Sequence, residues 1–208
     1  MAIMNAEAPL LEVNDLGCGR LWARLSFVLR AGGMLQITGA NGAGKTTLIR
    51  VLCGLANPDC GEVLWRRQNI FAAADDYRAD LLYVGHRDGI KNELTPMENL
   101  SFAAALHDSP PLMTPHAALQ KVGIQNGDKP CAQLSAGQKR RTALARLLIN
   151  RATIWFLDEP LTALDDAGRE MLGGLVSAHL ADGGAAVVAT HQQLPEWSSA
   201  QTMRLEKQ

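Results

Sequence analysis

Nine consecutive residues carry the densest chemical signal in this 208-residue chain. Gly39-Ala40-Asn41-Gly42-Ala43-Gly44-Lys45-Thr46-Thr47 fits the pattern G-x-x-x-x-G-K-[ST]. Glycines let a backbone curl until successive N–H groups face one centre, and the positive end of a following helix adds to their attraction for phosphate. In such a loop Lys45 reaches the β- and γ-phosphates, and the Thr46 hydroxyl is a Mg²⁺ ligand. The expected ligands are a nucleoside triphosphate and Mg²⁺. A second centre is Thr153-Ile154-Trp155-Phe156-Leu157-Asp158-Glu159-Pro160, an apolar run ending in two acids. Beside a phosphate loop, Asp158 is placed to hold Mg²⁺ through water, and Glu159 to polarise a water for in-line attack on the γ-phosphate. The glycine loop points to phosphate binding by itself, whereas the second segment alone reads equally as an acidic turn after a strand. Together they point to nucleotide hydrolysis.

Those side chains need strands and helices to hold them. Residues 34–38 form a short apolar strand entering the glycine loop, and residues 45–53 a helix stopped at Gly54. Further buried strands are expected at 81–84, 153–157 and 185–190, alternating with helical patterns, which means βαβ units and a parallel sheet. Before them the chain alternates, with Trp22, Arg24, Ser26 and Val28 on one face and Leu21, Ala23, Leu25, Phe27 and Leu29 on the other. That is a half-buried strand, grouped with 10–16 and 61–66 in an antiparallel layer. Residues 87–150 read as an inserted helical subdomain, with Thr95-Pro96 and Thr114-Pro115 as helix starts. The expectation is one α/β domain over 1–208, with 1–86 and 151–208 as its nucleotide-binding core.

Composition excludes several classes. Twenty Lys and Arg against 21 Asp and Glu leave a net charge of −1, without the basic surplus of a nucleic-acid binder. The longest apolar runs are five residues, those at 102–106 and 185–189 among them, where a spanning helix needs about 20. The N-terminal ten residues lack the basic and apolar regions of a secretory signal. Cys18, Cys53, Cys60 and Cys131 show no C-x-x-C pair or zinc spacing, so reduced thiols are expected. No C-x-x-C-H or Cys-Pro is present either, so no direct haem site is expected.

Leu134-Ser135-Ala136-Gly137-Gln138 precedes an expected helix at 139–150, with Ser135 as its N-cap. Lys139, Arg140 and Arg141 read as a solvated face. In combination, the motifs resemble those of the ATP-binding cassette (ABC) ATPases, whose signature L-S-G-G-Q corresponds to 134–138. Thr162-Ala163-Leu164-Asp165 resembles their D-loop, and His191 their switch histidine. The resemblance covers nearly the whole chain. It implies a P-loop NTPase fold and catalytic roles for Glu159 and His191. It also implies a head-to-tail homodimer, in which Ser135, Gly137 and Gln138 contact nucleotide held by Lys45 of the other copy. His107, His116 and His179 keep structural readings.

Two departures from the family stand out. Leu82-Tyr83-Val84-Gly85-His86 puts His86 where the Q-loop glutamine, linked to Mg²⁺, is expected, and Ala136 replaces a signature glycine. No clear aromatic stands ready for the adenine near Cys18–Trp22. The run from Gly85 to Leu100, the run from Gly54 to Trp65 and the L-S-A-G-Q signature are similar to the ATP-binding subunits of bacterial cytochrome c maturation systems, the CcmA group. That similarity implies a separate CcmB-like membrane permease, other cytochrome c maturation components as partners, and a peripheral place on the cytoplasmic face of the inner membrane. ATP turnover would serve either haem export or release of a haem chaperone. The alternatives are an ATPase subunit of another small-substrate ABC transporter, a soluble non-transport ABC ATPase, or a module without turnover, against which Glu159 argues.

Overall fold

The computed structural model describes residues 8–106, 110–125, 127–192 and 194–206. His107 and the N-terminal residues 1–7 therefore lie outside the described residues. In chain order the elements are β1 (Leu11–Cys18), β2 (Trp22–Leu29), β3 (Met34–Gly39), α1 (Lys45–Leu52), β4 (Cys60–Trp65), β5 (Gln68–Asn69), α2 (Ala74–Ala79) and β6 (Leu81–Val84). There follow α3 (Pro96–Ala105), α4 (Pro115–Lys121), α5 (Ala136–Leu144), β7 (Ile154–Asp158), α6 (Asp166–Ala181), β8 (Ala185–Ala189) and β9 (Gln201–Leu205).

A five-stranded parallel sheet in the order β6-β7-β8-β3-β9 forms the centre, and β2-β1-β4-β5 form a separate antiparallel sheet. Successive side chains of β7 and β8 point to opposite faces, and both faces are covered, which is why these runs are continuously apolar. Ile154, Phe156, Val187 and Ala189 pack with α1 and the antiparallel sheet, and Trp155, Leu157, Ala186 and Val188 pack with α5 and α6 residues. Leu100, Leu119, Val122, Ile124 and Ile149 make a third core among the inserted helices. Their starts follow the sequence. Thr95 closes a capping box with Glu98, and Thr114 caps α4.

Three expectations need correction. Trp22 is buried with Phe27 and Leu29, not on the face of Ser26 and Val28. Arg24 adopts φ 54° and the β1–β2 register shifts there, so a bulge reverses the alternation. The helix expected at 139–150 starts earlier, at Ala136 inside the signature, and tightens to a 3₁₀ segment over Ala145–Leu148. Finally β5, α2 and β9 have no counterpart in the sequence reading.

A phosphate-binding cleft at the ends of four parallel strands

Parallel strands all finish on one edge of their sheet, and ligands of open α/β sheets bind outside that edge. Here four neighbouring strands finish there together: β6 leads to His86, β7 to Asp158 and Glu159, β8 to His191, and β3 to the glycine loop. Backbone bonds lock the exits to one another. The Thr190 N–H donates to the Ile37 carbonyl at 3.1 Å, and the Glu159 N–H to the Ala189 carbonyl at 2.8 Å. Residues separated by more than a hundred positions thus line one cleft of ≈ 470 Å³, formed by Leu21, Asn41, Gly42, Gly44, Lys45, Thr46, Thr47, His86, Asp158 and Glu159.

The loop needs its glycines at two places in particular. Gly44 has φ 91°, and a Cβ there would stand 2.8 Å from the Trp22 indole nitrogen. Gly39 abuts the Leu205 carbonyl, 2.5 Å from where a Cβ would sit. Lys45, only 7% exposed, folds back so that its Nζ donates to the Gly39 carbonyl at 2.9 Å and the Ala40 carbonyl at 3.4 Å. The same Nζ lies 3.7 Å from Glu159 Oε1, and Glu159 Oε2 lies 3.2 Å from His191 Nδ1. Glu159 therefore stands between Lys45 and His191, on a backbone held at φ 47°. Such a conformation costs a non-glycine residue about 1 kcal/mol or more and marks a turn fixed by its surroundings.

Asp158 is 1% exposed, and both its carboxylate oxygens are sealed from water without a hydrogen bond of normal geometry. Burial pushes its carboxyl above the usual carboxylate range, as does the Glu159 charge, while the nearby Thr46 hydroxyl, His86 and Lys45 pull it back. An orphaned buried carboxylate beside a hydroxyl is suited to a hard cation completed by phosphate and water oxygens. Among the described residues no three His, Cys, Asp or Glu side chains are grouped closely enough to hold a metal by themselves.

Ser135, Gly137 and Gln138 do not line the cleft of their own chain. Ser135 and Gln138 are engaged with each other as the capping box of α5, the Gln138 N–H donating to Ser135 Oγ at 3.2 Å and the Ser135 N–H to Gln138 Oε1 at 2.9 Å. Gly137 fits against the Ala163 carbonyl, 2.8 Å from where its Cβ would sit, and this joins the signature to the D-loop. Ala136 is exposed at the first helical position, where alanine is favourable and unstrained.

The expected solvated face of Lys139, Arg140 and Arg141 is not what the chain builds. Arg140 is buried at 3% exposure, and Arg141 pairs with Asp165 at 2.5 Å and donates to the Val122 carbonyl. A cue was present in the sequence. Arg140 shares the i, i+3, i+4, i+7 stripe with Ala143, Leu144 and Leu147, all buried. Leu21 is a cleft residue that the motifs do not point to; it lines the cleft beside the loop, while Trp22 packs beneath Gly44. His179 stacks on Trp155 with ring centroids 3.8 Å apart, and His116 is exposed.

Residues 22–162 match the family model described as ABC transporter. The cytochrome c biogenesis ATP-binding export protein CcmA of Vibrio cholerae is 46% identical over 194 residues, covering 89% of this chain and 92% of that protein. CcmA of Dechloromonas aromatica is 48% identical over 192 residues, covering 89% and 94%. Among solved structures, an ATP-binding cassette in a dimeric post-hydrolysis state with ADP and Pi superposes with a TM-score of 0.82 at 22% identity, covering 95% of this chain and 94% of that one. With its core matched and curated relatives near half identity along most of its length, this chain belongs to the ABC transporter ATP-binding family, alongside the CcmA proteins.

Proposed function

We propose that this chain is the ATP-hydrolysing, energy-coupling subunit of an ABC transporter for cytochrome c maturation. The observation that carries the catalytic part is Glu159 poised at the mouth of the phosphate loop, 3.7 Å from Lys45 and 3.2 Å from His191. Phosphoryl transfer asks for positioning and charge stabilisation more than for covalent chemistry. ATP draws Lys45 onto its phosphates and away from Glu159. The freed carboxylate then accepts a proton from the attacking water, whose position His191 fixes. The N–H groups of residues 42–47 hold the phosphates.

Mg²⁺ fits the orphaned oxygens of Asp158 and the Thr46 hydroxyl, with His86 facing the same space. When bound, it neutralises developing phosphate charge. Because Ser135, Gly137 and Gln138 lie outside their own cleft, they serve the nucleotide of a second copy arranged head to tail. Among the described residues no helix is long and apolar enough to cross a membrane. The relatives' name as ATP-binding export proteins supports a separate partner permease of the CcmB kind. The chain would then sit peripherally on the cytoplasmic face of the inner membrane. The relatives' shared name supports the cytochrome c assignment.

Co-expression tests the reading. The chain should sediment with membranes only when its permease is present. It should also restore holocytochrome c to a strain lacking that strain's own ATP-binding subunit, and the Lys45→Ala variant should not. Co-purification with an unrelated permease, and no restoration, would remove the cytochrome c role and leave the ATPase intact.

A further inference from the structure

Arg140 is placed on α5, two residues beyond the signature, yet all its hydrogen bonds leave that helix. Nη1 donates to the Gly85 carbonyl at 2.8 Å and to Asp88 Oδ1 at 3.1 Å. Nη2 donates to the carbonyls of Asp158 at 3.1 Å and Glu159 at 2.9 Å, and Nε to that of Pro160 at 3.2 Å. Two segments remote in sequence meet on this one guanidinium. Residues 85–88 bracket His86, and residues 158–160 contain both acids of the cleft. Four of the five acceptors are neutral carbonyls, so the group acts as a jig for backbone more than as half of an ion pair. The Glu159 carbonyl it grips belongs to the residue at φ 47°, whose side-chain direction depends on that backbone being held. Lysine cannot replace such a contact. Its single ammonium has three donors on one atom, where arginine spreads five around a rigid plane.

We propose that Arg140 is a positioning residue for hydrolysis. It ties the signature helix rigidly to the Glu159 turn and to the His86 loop, so that the aim of the Glu159 carboxylate follows the position of α5. In doing so it supplies a mechanical link between the helical insert and the cleft, in a loop that has histidine where a glutamine was expected. This rests on the reading of Glu159 as the base. Loss of the link should misplace that carboxylate without touching the phosphate loop, and misplacement by about 1 Å costs on the order of a hundredfold in rate.

The test compares Arg140→Lys, Asp88→Asn, Glu159→Gln and the Arg140→Lys/Glu159→Gln double variant. ATP affinity is read from a fluorescent analogue and hydrolysis from single turnovers. Arg140→Lys should lower the rate about 10- to 100-fold, with ATP affinity within about threefold of the parent. Asp88→Asn removes one charge from an acceptor at the rim and keeps the buried guanidinium, so it should lower the rate about two- to fivefold in a fully folded protein. In the double variant, the lysine should add little to the loss from Glu159→Gln, since both act through one carboxylate. Additive losses, or an affinity that falls in step with the rate, would reduce Arg140 to a structural residue and overturn the proposal. Unchanged rates in both single variants would do the same. If instead Glu159→Gln alone keeps the parent rate, the assignment of the base fails.

Discussion

Replacing Glu159 by glutamine separates its two jobs, because the amide keeps the shape and removes both the charge and the basicity. Glu159 Oε1 faces Lys45 Nζ across 3.7 Å, with the side chains 17% and 8% exposed. At an effective dielectric constant near 20, the gross attraction at that distance is about 4–5 kcal/mol. Desolvation and side-chain ordering offset most of it, leaving a net value of about 1 kcal/mol for a partly buried pair. ATP must break this contact to recruit Lys45. Glu159→Gln should therefore bind ATP up to about fivefold more tightly than the parent. Hydrolysis should fall by about 10²–10⁴, the range for removal of a general base. Equilibrium titration with a fluorescent ATP analogue reads the first effect, and phosphate release in single turnovers the second. The variant should also accumulate as an ATP-bound dimer by size-exclusion chromatography. Weaker ATP binding would refute the pairing argument, and a parent-like rate would refute the base.

Lys45→Ala should fail in the opposite way. It loses charge-assisted bonds worth about 1.5–3 kcal/mol, so ATP affinity should drop by about 10- to 100-fold in the same titration. Burial holds the His179 imidazole below its usual range against bonds to the Thr153 and Ala185 backbone, so the folded state keeps the ring neutral while the unfolded chain takes up a proton near pH 6.5. Stability should accordingly fall as pH drops below about 6.5, and urea unfolding of His179→Gln should show a flatter pH slope there. Gly184→Ala should cost about 1–3 kcal/mol in the same unfolding assay, because its methyl would meet the His179 ring that Trp155 pins in place.

Much of the site could be read from the chain because each of its motifs is local. The loop at 39–47, the acids at 158 and 159, and the caps at Thr95, Thr114 and Ser135 are contiguous patterns whose physics needs few neighbours. What escaped was nonlocal. The helical stripe places Arg140 on the inward face, but its partners are not legible, because they are carbonyls and one carboxylate drawn from positions 85–88 and 158–160, which no spacing rule connects to 140. The strand β9 escaped because its residues are mostly exposed at the sheet edge, with Leu205 alone buried. Trp22 was put on the wrong face by a single bulge at Arg24, which a period-two pattern cannot register.

The charges of the cleft explain why nucleotide and metal should arrive together. Among the described residues the only lysine lining it, Lys45, already faces Glu159, and Asp158 lies close enough behind for its own ionisation to be opposed by Glu159. A triphosphate entering alone would free Glu159 by taking Lys45, and would then face two carboxylates with one cation to balance them. A divalent ion held by Asp158 and Thr46 would remove that conflict by neutralising the buried carboxylate and offsetting phosphate charge. Self-neutralisation within the cleft and a need for an added cation would thus be two sides of one arrangement. Lys45 and His191 each contact Glu159; on the proposed reading ATP would draw Lys45 away and leave the Glu159 carboxylate to accept a proton from the attacking water.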